Sequence, residues 1–220
     1  HYLQGRYYLG RRFEGGLQRA LDFFEQALEH DPRYPLPYIG VADCYNIMSY
    51  FEFIPPQEGF PRAREAAARA LEIDDQLAEA HAVQGLLEFS RHKVDKTGDA
   101  HLRAAAAYER AIALNPNLAN AYVWYATVHE TQGDLQAAID LLTTAMEIDP
   151  LGRIPYLNLP GMYAAQGDSD RAIQIWLKAV AGPLYFVQGG ILSTLPVDAH
   201  EQLKWIFLLL IAGLGVKAAI

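Results

Sequence analysis

One cluster of histidine and acidic residues in the chain could bind a metal ion. His92, Asp95 and His101 share a predicted loop, and imidazole and carboxylate groups are common zinc ligands. Their spacing, however, matches no standard zinc pattern, so we weigh solvated loop side chains over a metal site by roughly ten to one. We therefore expect neither a metal nor a cofactor in this protein.

The chain offers few groups for catalysis. Cys44 would need a nearby base to act as a nucleophile, and its position in a predicted helix favours a small buried side chain instead. His129 and Glu130 lack the second histidine of a zinc-protease helix. The pair Gly189 and Gly190 is too short to indicate a phosphate-binding loop. We therefore expect a protein that is not an enzyme.

Composition narrows the class of partner. The 220 residues are 51% hydrophobic, which is enough for a sizeable core, and the net charge is -8. Nucleic acid is not an expected partner, because phosphate binding needs a basic face. The first residue is His1 and no signal peptide is visible, which we interpret as a processed product or a piece of a longer protein. We expect a cytoplasmic or membrane-associated protein, and a homo-oligomer stays open.

A 34-residue period organises most of the chain. Asn115 and Pro116 close one segment, and Asp149 and Pro150 close the next, 34 residues later. Small and large apolar residues recur at fixed distances before three prolines: Ala20, Phe24 and Ala27, then Ala104, Tyr108 and Ala111, then Ala138, Leu142 and Ala145. A period of this length is typical of a solenoid, in which each hairpin buries its apolar face against its neighbour.

The period divides the chain into repeats and a C-terminal region. The predicted domain is a repeat domain over 1–183, followed by an irregular connector and an apolar helix, with the boundaries 1–34, 35–77, 78–118, 119–152, 153–183, 184–196 and 197–220. Asp75 stands where the closing proline of the second repeat would be. We predict insertions at 49–60 and 90–99, with the following helix of the second repeat starting at Pro61. Pro160 should kink or delay its helix.

The anchor residues resemble those of the tetratricopeptide repeat family. They are Tyr122, Ala126, Gly133, Ala138, Leu142, Ala145 and Pro150, followed by Tyr156, Gly167, Ala172, Trp176 and Ala179. The resemblance covers about residues 1–183. Three shorter runs, at 2–8, 60–63 and 78–81, also resemble the repeat regions of bacterial signalling proteins such as winged-helix regulators and nucleotide cyclases.

The resemblance implies an all-α, right-handed superhelical solenoid of about five helix-turn-helix hairpins. Its concave face, lined by the first helix of each hairpin, would hold a peptide or a partner helix. The first-helix residues that lie off the packing face are our candidate partner-binding set: Asp43, Asn46, Leu86, Phe89, Trp124, Thr127, Glu130 and Asn158.

Trp124 is the residue that we expect to contribute most to binding, because tryptophan is enriched among binding hot spots. The alternative is that Trp124 only packs on a neighbouring loop. Family members that hold a peptide carboxylate use several Lys, Arg and Asn side chains on successive first helices. Only Arg6 lies near such a position here, so that mode of binding is not expected.

The C-terminal stretch from Trp205 to Val216 is uncharged and lies between Lys204 and Lys217. Twelve helical residues span about 18 Å, short of the ~30 Å hydrocarbon core of a bilayer. A helix that caps the last repeat should be polar on its outer face, and this one is not. We expect a membrane or subunit contact through 204–220, with apolar contact residues Trp205, Phe207 and Leu210.

These observations predict a non-catalytic protein–protein interaction or assembly module that binds a protein or peptide partner in its groove. Two alternatives stay open. One is a regulatory repeat region of a larger bacterial signalling protein. The other is a membrane-associated subunit of an assembly, held through the apolar C-terminal helix.

Overall fold

The computed structural model describes residues 1–10, 13–95 and 99–181. In these ranges the chain forms ten helices and no strands, which confirms the predicted all-α repeat fold. The helices are α1 (Tyr2–Leu9), α2 (Glu14–His30), α3 (Pro35–Tyr50), α4 (Pro56–Ile73), α5 (Ala78–Asp95), α6 (Ala100–Leu114), α7 (Ala119–Thr131), α8 (Leu135–Ile148), α9 (Arg153–Ala165) and α10 (Ser169–Ala181). The predicted connector at 184–196 and apolar helix at 197–220 lie outside the described residues.

The chain divides into two compact units, and the division falls inside α7, between Val128 and His129. In the first unit each hairpin packs on the next: α1 contacts α3, α3 contacts α5, and the second helices α2 and α4 contact the first helix that follows them. In the second unit α9 contacts both α8 and α10. The predicted repeat and domain boundaries stay a prediction.

Aromatic side chains of the second helices fit against glycines of the first helices. Phe24 of α2 is fully buried, and a Cβ atom at Gly5 or Gly40 would collide with its ring. Tyr108 of α6 occupies the equivalent place, where a Cβ at Gly85 would lie 2.9 Å from the ring. These glycines allow the helix backbone to approach the aromatic ring closely, so they fix the packing within and between hairpins.

Each turn between one hairpin and the next uses the same two hydrogen bonds. The side-chain oxygen of an Asp or Asn accepts a hydrogen bond from the backbone N–H two residues later. This occurs at Asp31, Asp74, Asn115 and Asp149. The residue directly after this Asp or Asn has its carbonyl oxygen hydrogen-bonded to a Tyr hydroxyl or a His ring nitrogen of the following helix. The pairs are Tyr38–Pro32, Tyr122–Pro116, Tyr156–Pro150 and His81–Asp75. His81 and Asp75 therefore take the places of the tyrosine and the proline, as the repeat register predicts.

Two helix boundaries differ from the sequence prediction, and one of the two effects expected of Pro160, a delayed helix start, is not seen. Helix α4 begins at Pro56 and not at Pro61, because proline is well tolerated in a first helical turn, where its missing N–H would have had no partner. Helix α5 continues to Asp95 through most of the predicted 90–99 insertion. Pro160 does not delay its helix, since α9 already begins at Arg153 and runs past it.

Candidate functional site

The first unit contains a groove formed by the first helices of successive hairpins. We call it the Trp124 groove, and it has a volume of about 170 Å³. Its lining comes from α1, α3, α5 and α7 and from the turn before α7: Arg6, Ile39, Asp43, Glu79, Ala82, Val83, Leu86, Leu118, Asn120 and Trp124. The structure therefore brings together three of the predicted partner-binding residues, Asp43, Leu86 and Trp124.

The floor and the rim of this groove differ in polarity. Ile39, Val83 and Leu86 form an apolar floor and are 4%, 7% and 9% exposed. Asp43 and Glu79 are half-buried carboxylates at the rim. The guanidinium of Arg6 is the single positive charge in the lining, so formal charges at the groove sum to -1. An apolar side chain next to a cationic one is the ligand chemistry that matches this arrangement.

Trp124 has a dual position. It lines the groove, and it also packs against a buried cluster of Phe89, Ala104, Tyr108 and Val128. Its side chain is half-buried. Its packing partners lie on helices and not on a neighbouring loop, and its role in binding stays a prediction.

Other predicted groove residues lie deeper than the sequence suggested. Asn46 is 5% exposed, and the hydroxyl of Ser90 donates to its side-chain oxygen at 3.3 Å. Phe89 is buried in the cluster behind Trp124. The hydroxyl of Thr127 donates back to the carbonyl of Val123 in its own helix. None of these three side chains is part of the lining of the groove, and their role in binding stays a prediction.

Two predicted residues belong to the second unit. Glu130, near the end of α7, is exposed. Asn158 lies on α9 and is half-buried, beside the exposed side chain of Leu157. The role of both in binding stays a prediction. The predicted apolar contact residues Trp205, Phe207 and Leu210 lie outside the described residues.

Chemical groups elsewhere behave as packing residues. Burial, and secondarily the charge of Asp43, raises the pKa of the Cys44 thiol far above its ordinary value, which disfavours the nucleophilic thiolate. Within residues 1–10, 13–95 and 99–181, no three His, Cys, Asp or Glu side chains are grouped as metal ligands would be. The side chains of His92 and Asp95 are outside the described set. In the same described ranges, no helix has the length and apolar character needed to cross a bilayer.

Glu79 and Leu118 are among the lining residues that sequence reasoning missed. Both can be found from the repeat register. Leu118 lies two residues after Pro116, in the turn that leads into a first helix, and Glu79 occupies the start of another first helix. Positions at the beginning of first helices therefore reach the groove, as Asn120 also does.

Comparison with known proteins finds a match to a repeat family and a similarity to part of a regulator. Residues 107–140, one full 34-residue period, match the family model described as tetratricopeptide repeat. Transcriptional regulator HilA of Salmonella typhimurium is 24% identical over 149 residues, which covers 68% of this chain. The match spans only 26% of the regulator's own length, about a quarter of it.

Solved structures share the fold. A thermophilic TPR protein of Thermus thermophilus superposes with a TM-score of 0.63 at 16% identity, over 89% of this chain and 92% of its own. PilW, a type IV pilus biogenesis factor, gives 0.58 at 18% identity, over 82% of this chain and 74% of its own. MamA gives 0.52 at 23% identity, over 76% and 88%. At these identities the likeness establishes the fold alone.

Proposed function

Because the chain carries a tetratricopeptide repeat within an all-α fold shared by tetratricopeptide repeat proteins, we propose that it is a non-catalytic protein–protein interaction or assembly module. It binds a peptide or a partner helix in the Trp124 groove. The observation that carries this proposal is the groove itself, a depression of mixed polarity with buried apolar residues and a partly accessible tryptophan, built from four successive first helices.

The size and chemistry of the groove favour one kind of ligand segment. A volume of about 170 Å³ admits one large apolar side chain, which would rest on Ile39, Val83 and Leu86 and against Trp124. Burying such a side chain contributes roughly 1.5–3 kcal/mol. Asp43 and Glu79 at the rim would attract a neighbouring Lys or Arg of the ligand. The preferred segment is therefore an apolar residue next to a basic one.

A displayed library of random peptides, selected on the immobilised 220-residue chain, tests this proposal. The expected result is enrichment of peptides with an apolar residue beside Lys or Arg. Binding of an enriched peptide, measured by fluorescence anisotropy, should weaken about 10-fold or more with Trp124→Ala. Glu79→Lys, at the rim and outside the buried core, should weaken it by reversing the local charge while leaving the fold intact.

A matched control comes from α6, where Leu102 is 60% exposed and does not line the groove. Leu102→Ala should leave the peptide affinity unchanged. Circular dichroism melts of all three variants separate a loss of binding from a loss of structure. Peptides that bind the Trp124→Ala and Glu79→Lys chains as tightly as the unmodified chain would place the binding surface elsewhere.

A second candidate is a regulatory repeat region within a longer signalling protein. Its support is the similarity to a stretch of HilA that makes up about a quarter of that regulator. An antibody raised against this chain can measure the mass of the native protein in an extract of the source cells. A mass well above 24.5 kDa supports this candidate, and a band at that mass contradicts it.

A membrane or subunit contact through 204–220 rests on the sequence alone. The test compares the intact chain with one that ends at Leu203. If the apolar stretch makes such a contact, the intact chain requires detergent to stay in solution and the shortened chain does not. Equal behaviour without detergent would argue against this contact.

A further inference from the structure

A second groove lies on the other helices of the first unit. It runs between α2 and α4 over α3 and has a volume of about 730 Å³. We call this depression the Arg–Glu groove. One of its walls is formed by six residues of α4: Arg62, Glu65, Ala66, Ala68, Arg69 and Glu72. None of these residues lines the Trp124 groove.

The charged groups of this wall are accessible and ordered. The Arg62 guanidinium lies 5.5 Å from the centre of the Tyr45 ring and donates to its hydroxyl at 3.3 Å. Arg69 pairs with Glu72 one turn later, and these side chains are 53% and 62% exposed. Contacts of this kind hold the guanidinium groups in place while leaving them open to a partner.

The charged residues that line the groove from α4 are arranged symmetrically about position 67. Two residues at equal distances on either side of this position carry opposite charges. Arg62 and Glu72 lie five residues on either side, Glu65 and Arg69 lie two residues on either side, and Ala66 and Ala68 flank the centre. The four charged residues share one helix face, since their spacings are three, four and three residues. A second, antiparallel α4 related by a two-fold axis through this point would therefore place each charge opposite its complement.

We propose that a second copy of the chain docks in the Arg–Glu groove, with the two α4 helices antiparallel. Arg62 of each copy then faces Glu72 of the other, and Glu65 faces Arg69. Ala68, which is exposed beside the axis, adds little side-chain bulk between the two helices, whereas Ala66 and Ala67 are buried in the chain's own core. The apolar groups of the groove, Leu28 of α2 and Val41 of α3, are covered by the incoming helix.

Charge complementarity favours a second copy over a strongly charged partner of another kind. The wall carries two guanidinium and two carboxylate groups in an order that no uniformly acidic or basic surface would satisfy. A like-charge contact costs affinity, so such a surface would be repelled at half of these positions. Docking of a second copy is independent of peptide binding, because it uses other residues than those that line the Trp124 groove.

The test is sedimentation equilibrium of the intact chain between about 1 and 200 µM, a range in which a dimer held by a modest interface dissociates. The unmodified chain should be in monomer–dimer equilibrium. Arg62→Glu places a carboxylate opposite Glu72 at both symmetry-related positions and should raise the dissociation constant about 10- to 100-fold. The double change Arg62→Glu/Glu72→Arg exchanges the two charges and should restore dimerisation.

Arg64→Glu is the matched control, since Arg64 is exposed on the same helix and does not line the groove. It should leave the dissociation constant within about 3-fold of the original, because an exposed charge outside the groove contributes little. A chain that stays monomeric at about 200 µM overturns the proposal. An equal loss with Arg64→Glu, or no recovery in the double variant, also overturns it.

Discussion

The two grooves of the first unit are built from different parts of the same hairpins. The floor of the Trp124 groove consists of Ile39, Val83 and Leu86, which are also buried in the packing between hairpins. The wall of the Arg–Glu groove carries Arg69 and Glu72, whose side chains extend mostly into solvent. The Trp124 groove is thus lined partly by residues of the hydrophobic core, whereas the Arg–Glu groove is lined partly by exposed charged side chains.

This difference determines how each groove can change. A substitution on the floor of the Trp124 groove alters binding and stability together, because the same atoms serve both. A substitution of Arg69 or Glu72 alters association and leaves the core intact. Substitutions on the charged second-helix surface should therefore cost less stability than substitutions in the apolar part of the first-helix groove.

The largest expected effect is on the floor of the Trp124 groove. Leu86→Ala removes a side chain that is 9% exposed and should lower the free energy of unfolding by about 2–5 kcal/mol. Urea unfolding followed by circular dichroism measures this change. The matching substitution in the other groove, Arg69→Ala, should stay within about 0.5 kcal/mol of the original chain. Equal effects of the two substitutions would remove the distinction between core-derived and surface-derived grooves.

Much of the fold could be predicted from the sequence, because its anchors are local and periodic. The proline spacing located the turns, and Phe24 and Tyr108 were found at their packing positions from the same count. The start of α4 and the end of α5 were not found. Polar residues such as those at 91–95 do not by themselves end a helix, and a proline such as Pro56 can begin one.

The candidate site was only partly predictable. The repeat register identifies which side chains point away from the packing face, and this located Asp43, Leu86 and Trp124. The register does not predict how deeply each of these side chains is buried. Asn46 is buried with its side-chain oxygen accepting from Ser90, a residue of another helix 44 positions later, and no local pattern reports such a partner.

A smaller effect is expected one layer behind Trp124, at Tyr108. Its hydroxyl is buried and has no hydrogen-bond partner within the described ranges. Tyr108→Phe removes this unsatisfied group and should raise the free energy of unfolding by about 1 kcal/mol. The reference is Tyr122→Phe, which removes a hydroxyl that donates to the Pro116 carbonyl and should lower it by about 0.5–1.5 kcal/mol. A loss of stability with Tyr108→Phe would contradict this expectation.

The smallest effect concerns Tyr125, on the side of α7 that faces α6. Burial, and then the hydrogen bond to Glu109 and the charge of that carboxylate, raise the pKa of Tyr125 to about 12 from the ordinary 10.0. The neutral phenol is thus favoured in the folded chain. Its contribution to stability is complete below about pH 10 and is lost as the pH rises from there through about 12.

Solvent screening keeps this contribution below about 1 kcal/mol, because the Tyr125 side chain is only partly buried. Urea unfolding at about pH 9 and about pH 11.5, on either side of the ordinary tyrosine pKa, measures it when the intact chain is compared with Tyr125→Phe. The free-energy difference between the two proteins should shrink at the higher pH, since phenylalanine cannot titrate. A constant difference would mean that the phenol ionises as easily in the folded chain as in the unfolded one. In that case the Tyr125 side chain would be as accessible to water as the charged side chains of the Arg–Glu groove.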